Sequence, residues 1–254
     1  MERVANKVAE ITIYFWIMKI FATILGETAG DLLSMTLGVG YSVSAVILLG
    51  FFFFTLLIQL ASRRFIPALY WIVILSTTTA GTEMSDYMDR TLGLGYAKGS
   101  LLLLLCLLGV LAAWRYSEKN LRVDNIHTAR AEVFYWVAVL FSNTLGTALG
   151  DFLGDDLGLG FVGGALLTGG VIALVVLAHY RTRINDVLLF WIAFVLTRPF
   201  GATFGDLLTK PHESGGLGFG TIISSIVVAA LFITFIIYTS RGTGHAHRHE
   251  YSKA

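Results

Sequence analysis

The chain has 254 residues, 56% of them apolar and 14% charged, with a formal net charge of +1 and a mean hydropathy of +0.74. An ordinary soluble domain carries roughly 25% charged residues, so these totals exclude a soluble globular protein, and the near-neutral balance gives no sign of a nucleic-acid partner. One cysteine, Cys106 in an apolar run, excludes an intrachain disulfide and any multi-cysteine metal site.

In chain order, the apolar segments predict eight membrane spans, at 10–32, 41–61, 66–87, 97–115, 131–152, 160–180, 186–207 and 219–240. Most of these runs are long enough, or nearly so, for a bilayer helix of about 20 residues. The first is read as a retained helix, because no small-residue cleavage site precedes it. The expected fold is an all-α polytopic membrane protein. Its parts are a four-helix half at 1–116, a polar connection at 117–128, a second half at 129–240 and a flexible tail at 241–254.

A repeat organises the chain. Trp16–Asp31, Trp71–Asp86, Trp136–Asp151 and Trp191–Asp206 each start on Trp and close on Asp fifteen positions later. Counting the Trp as zero, position ten is always Gly (Gly26, Gly81, Gly146, Gly201), and position fourteen is Gly30, Ser85, Gly150 or Gly205. A Leu-Gly-x-Gly signature follows at 37–40, 92–95, 157–160 and 217–220, the last copy five residues late after an insertion around Lys210, Pro211 and His212. Each repeat then contributes two helices, and all four copies run parallel. They are not the inverted pair of many secondary transporters.

Of the eighteen Lys and Arg, thirteen lie at the termini and between repeats, against Arg90, Lys98 and Lys210 at the other end and Lys19 and Arg198 within spans. The positive-inside rule then places both termini in the cytoplasm and every closing Asp outward.

The chemistry-bearing candidates sit on the first helix of each repeat. At 100° per residue the closing Asp shares a face with positions four, eight and eleven. Position four is apolar (Ile20, Leu75, Leu140, Val195), and position eleven is Glu27, Thr82, Thr147 or Ala202. That face predicts an outward vestibule closed below by an apolar plug. Asp31, Asp86, Asp151 and Asp206 would form a ring or two pairs, as ion ligands or proton carriers, with Glu27 and Glu83 a layer deeper. Intramembrane carboxylates usually face a protein interior or a water path. The alternative is that each Asp caps a turn. The glycine stripe predicts close helix packing.

Lys19 and Arg198, at positions three and seven, break the internal symmetry. A buried cation needs a partner, and Glu27, Glu83 or a ring Asp is the natural one. Structural pairing and gating both remain open for them, and lysine is the better switch. Pro199 should kink or break the seventh span, with Asn143 at the level of Arg198 in repeat three. The four frame tryptophans read as interfacial anchors. His245, His247 and His249 could buffer a metal, and no phosphate loop, zinc-protease helix or serine-hydrolase elbow is present, so an enzyme is not expected.

The four-copy aromatic-Trp, Gly, Gly-Asp and Leu-Gly-x-Gly pattern resembles a bacterial membrane family built of a tandem repeat of unknown function. The likeness spans roughly residues 10–240, with Ser85-Asp86 departing from Gly-Asp. It implies fold and location and no activity. The run Glu27 to Asp31 also looks like the Glu-x-Gly-Asp signature of some cation and manganese exporters, with the spacing one residue longer. Together the residues point to a secondary transporter of a small cation, a proton or a hard divalent ion such as manganese. A scaffold or sensor whose acids only pin loops is the alternative. The expected partners are the lipid bilayer and the cation itself; no resident cofactor is needed beyond a bound divalent ion, and an oligomer is compatible with the sequence.

Overall fold

A computed structural model describes the backbone of residues 7–251 and the side chains of 7–239, Asn125 apart. The tail histidines lie outside the described side chains. Among the described residues there are eight long helices: α1 (Ile13–Asp31), α2 (Tyr41–Ala61), α3 (Pro67–Asp86), α4 (Tyr96–Glu118), α5 (Ala129–Asp151), α6 (Gly160–Arg181), α7 (Asp186–Thr209) and α8 (Thr221–Tyr251). The backbone of α8 therefore continues as helix past Arg241, into the segment read from the sequence as a tail.

Local chemistry sets the ends. Pro67 opens α3, where a missing N–H costs nothing. The Thr128 hydroxyl accepts from Ala131 N to cap α5, and Asn185 accepts from Val187 N and Leu188 N to cap α7. After the closing Asp, repeats one to three each run through a five-residue π-helical turn, at Leu32–Thr36, Tyr87–Thr91 and Phe152–Asp156. Both glycines of Leu-Gly-x-Gly then adopt positive φ, between 64° and 81° in all four copies, which is why this signature tolerates only glycine there.

Repeat four keeps the same register with its insertion looped out. Leu217 N donates to Leu207 O at 2.6 Å, as Leu37 N donates to Leu32 O at 2.9 Å in repeat one. The intervening segment, with Lys210 at its start, bulges beyond the end of α7.

The first helices α1, α3, α5 and α7 form a closed ring, each packed on two neighbours, with α7 returning to α1. The second helices form an outer layer, and their placement differs from a simple hairpin. Here α2 lies on α3, α4 on α5, α6 on α7 and α8 on α1. Each repeat therefore hands its second helix to the next repeat, and the two sequence halves share one core. Hydroxyl contacts join the layers, Thr55 to Ser76 between α2 and α3 and Ser225 to Thr28 between α8 and α1, each at 3.0 Å.

The frame glycines make the ring possible. A Cβ on Gly26 would strike Thr78, on Gly81 the backbone of Asn143 and Thr144, on Gly146 Arg198 and Pro199, and on Gly201 Thr23. Position ten of each repeat thus receives position seven of the next, around the full circle. This is the close approach that small residues permit between membrane helices.

Among the described residues six helices are long and apolar enough to cross a membrane: α2, α4, α6, α7, α5 with its π-turn, and α8 to Thr239. The outer layer exposes large apolar side chains such as Leu57, Leu105, Leu166 and Ile226, as contact with a lipid bilayer requires. The inner helices α1 and α3 are more polar because the outer layer shields them. Lys19, Glu27 and the run Thr77–Thr79 all lie on their buried surfaces.

At the Trp end an aromatic floor closes the ring. Phe15 packs on Trp71 at 5.7 Å, Tyr70 on Trp136 at 5.5 Å and Phe190 on Trp16 at 5.7 Å. At the remaining seam Trp114 wedges between Tyr135 and Trp191, and the Tyr70 and Tyr135 hydroxyls meet at 2.6 Å. The interfacial-anchor reading of the tryptophans is thereby corrected: Trp71, Trp136 and Trp191 are buried in the core. An indole offers a large apolar surface, and here the interior takes it up before the lipid headgroups can.

Candidate functional site

Three polar layers cross the ring above this floor. The outermost holds the closing aspartates, which are 3–6% exposed and fall into two pairs, not one shared site. Arg90 reaches Asp86 at 2.9 Å and Asp151 at 3.3 Å. Lys210 reaches Asp31 at 2.6 Å and Asp206 at 3.2 Å. Each cation is four residues beyond an Asp of its own repeat and bridges to an Asp of a neighbour. The expected open vestibule is corrected accordingly, since the carboxylates are buried beneath these two side chains. Burial alone would lower the Lys210 pKa, but the Asp206 and Asp31 carboxylates outweigh it and raise the value, keeping the ammonium charged.

Asp89 belongs to the same end. It is buried on the second π-turn and accepts from the Ser85 hydroxyl at 3.2 Å. This explains why repeat two carries Ser85 where the others carry glycine.

The middle layer contains both glutamates. Arg198 Nη2 donates to Glu27 Oε2 at 2.7 Å and to Thr82 Oγ1 at 2.5 Å, spanning α7, α1 and α3. The expected acid partner for Arg198 is thus Glu27, while its Nε and Nη1 make no hydrogen bond. Glu83 has no cation partner. Both its oxygens are buried without a hydrogen bond; the neighbouring Ser34 hydroxyl donates to Gly30 O at 3.0 Å.

The inner layer holds Lys19. Its ammonium donates to Asn143 Oδ1 at 2.8 Å and lies 4.3 Å above the centre of the Phe194 ring. Asn143 Nδ2 in turn donates to Thr77 Oγ1 at 2.8 Å. The expectation of a carboxylate partner for Lys19 is corrected: an amide oxygen and an aromatic face serve instead. Pro199 does not break the chain's seventh helix, which is continuous from Asp186 to Thr209. Its ring packs beside Gly146, where a side chain would not fit.

The plug also sits elsewhere than expected. Position four (Ile20, Leu75, Leu140, Val195) is only half-buried, whereas positions three and seven are fully buried in all four repeats. The ring lining follows positions zero, three, seven, ten and fourteen, the alternating three–four spacing of a coiled-coil seam. Lys19, Arg198 and the small residues all occupy that series, which was the signal available in the sequence. Arg90 and Lys210 carried a second one, an Asp four residues before a cation on one helical face.

Among the described residues Glu27, Asp31 and Asp206 present carboxylate oxygens within 4.8 Å of one another, close enough to share an ion. Asp86 and Asp151 lie outside that group. A cavity of about 700 Å3 opens at the Trp end, among the 117–128 connection and the α6–α7 turn. It is far from the acids, and its Arg122 and His179 are already paired with Asp124 and Asp186. The hydrogen bond from Arg122 holds the Asp124 carboxyl below its usual pKa.

A charged core inside an apolar double ring of helices is the build of a membrane helix bundle. The chain belongs to the family defined by the Repeat of Unknown Function (DUF347), which matches four times in tandem, at residues 14–65, 69–120, 134–185 and 189–243. The expectation of a four-copy repeat family is therefore borne out. No curated protein and no solved structure matches the chain.

Proposed function

We propose that the protein is a secondary transporter of a small cation in the bacterial inner membrane. It crosses the bilayer eight times, with both termini cytoplasmic and the Asp end facing outward. The distribution of Lys and Arg supports the orientation. Glu83 carries the functional reading: a fully buried carboxyl that forms no ion pair, its neighbouring Ser34 hydroxyl bonded instead to Gly30 O. Such a group is costly to keep ionised in an apolar surround, so it calls for a proton or a metal ion. Around it the buried acids Glu27, Asp31, Asp86, Asp151 and Asp206 outnumber Lys19, Arg90, Arg198 and Lys210. Lys19 and Arg198 fill the path inward and would set its charge balance.

The test is ion flux into proteoliposomes, with protons and Mn2+ as cargo. Asp31→Asn combined with Asp151→Asn should abolish it, and unchanged flux in that variant would sink the transport reading. A scaffold reading has one specific support, the pinning of all four aspartates by Arg90 and Lys210. Under it, Asp→Asn variants lose thermal stability and no cation stabilises the parent protein.

A further inference from the structure

We infer that the Asp end contains one divalent-cation site, made by Glu27, Asp31 and Asp206 at the seam of α1 and α7, and that Lys210 is its tethered competitor. The inference rests on the cation-handling reading above and narrows it to one seam. The three carboxylates already converge within 4.8 Å, a spacing that an ion held at about 2.1–2.6 Å from each oxygen can span. The helices are pressed together here, since a Cβ on Gly205 would come within 3.0 Å of Glu27 Cβ.

A fourth carboxylate points the same way. Glu83 reaches from α3 so that its Oε1 would lie 3.2 Å from a Cβ on Gly30, a residue between Glu27 and Asp31 on α1. Both its oxygens are without a partner. Glu27, Asp31 and Asp206 share two close cations, Arg198 and Lys210, which leaves one negative charge uncompensated. Replacing the singly charged ammonium by a doubly charged ion cancels that surplus, which a monovalent ion would leave unchanged.

Lys210 is suited to leave. It lies beyond the end of α7 on the insertion found only in repeat four, and its side chain is 22% exposed. The pseudo-equivalent seam lacks these features. Arg90 sits on a continuous π-turn, and position eleven of α3 and α5 is Thr82 and Thr147, so no third carboxylate joins Asp86 and Asp151. The ligands are all oxygens, which suits Mn2+, Mg2+ or Ca2+ over softer metals.

The experiment is Mn2+ titration of the purified full-length protein in detergent, read by electron paramagnetic resonance and by the melting temperature. Lys210→Met should bind Mn2+ about tenfold tighter than the parent, because a competing charge is gone. Asp206→Asn and Asp31→Asn should each abolish binding, while Asp151→Asn keeps it; two ligand variants guard against one failing to fold. Binding in Lys210→Met no tighter than in the parent overturns the proposal, and so does equal loss in Asp151→Asn. Mn2+ bound at this seam without any flux supports the site and ends the transport reading. Flux in a protein that binds no Mn2+ at the seam does the reverse.

Discussion

Replacing Arg198 by methionine should lower the stability of the fold by about 3–5 kcal/mol, the usual result of stripping a buried carboxylate of its partner. Arg198 is wholly inside the ring and ties α7 to Glu27 on α1 and to Thr82 on α3. Removing it leaves the buried Glu27 carboxyl without its ion-pair partner, beside Glu83. Adding Glu27→Met to Arg198→Met should recover most of the loss, because an apolar pair of similar volume no longer carries the desolvation cost. Melting of the single and double variants in detergent measures both effects. A single variant as stable as the parent would mean that the pair does not hold the ring.

The second large effect concerns the glycine seam. Gly146→Ala puts a Cβ into the Cβ and Cγ of Arg198 and the Cδ of Pro199, and overpacking of this kind costs about 1–3 kcal/mol. Gly50 and Gly109 provide the contrast, since a Cβ at either meets nothing within 4 Å. Alanine at those two positions, in the interiors of α2 and α4, should stabilise by roughly 0.5–1 kcal/mol through the unfolded chain and the helix preference. Opposite signs for Gly146→Ala and Gly50→Ala in thermal melts would establish that the inner glycines are there for contact. Equal signs would place the ring seam elsewhere.

What could be read from the residues alone follows from how local each feature is. The Trp-to-Asp frame, the Leu-Gly-x-Gly turn and the Gly stripe are spaced within one helix or one turn, so the sequence displays them directly. The Asp ends were legible as a cluster for the same reason, because every repeat carries the acid at one position. Which repeat holds which partner is a matter of the circle. That α2 lies on α3 and α8 on α1 depends on four copies closing on each other, and no single repeat encodes it. Lys19 illustrates the consequence: its donor pairs with Asn143, 124 residues away, although acids closer in sequence were available.

The cations of the Asp end show the same division. In the positive-inside pattern Arg90 and Lys210 are only exceptions, yet each stands one helical turn past an Asp. Their ion pairs with Asp86 and Asp206 follow from that spacing, and their reach to Asp151 and Asp31 follows from the ring. The tryptophans misled in the opposite way. An aromatic near a helix end is ordinarily an interface residue, but a four-helix ring has an interior at the same depth, and three of the four indoles are buried there.

The two aspartate pairs therefore carry unequal weight: an arginine bridge on one side, and on the other a lysine on a loop beside two glutamates. Mn2+ flux in proteoliposomes of Asp31→Asn, set against Asp151→Asn, tests that asymmetry most directly. The account predicts that flux is lost in Asp31→Asn and retained, at least in part, in Asp151→Asn. Loss of flux to the same degree in both, or in neither, would contradict it.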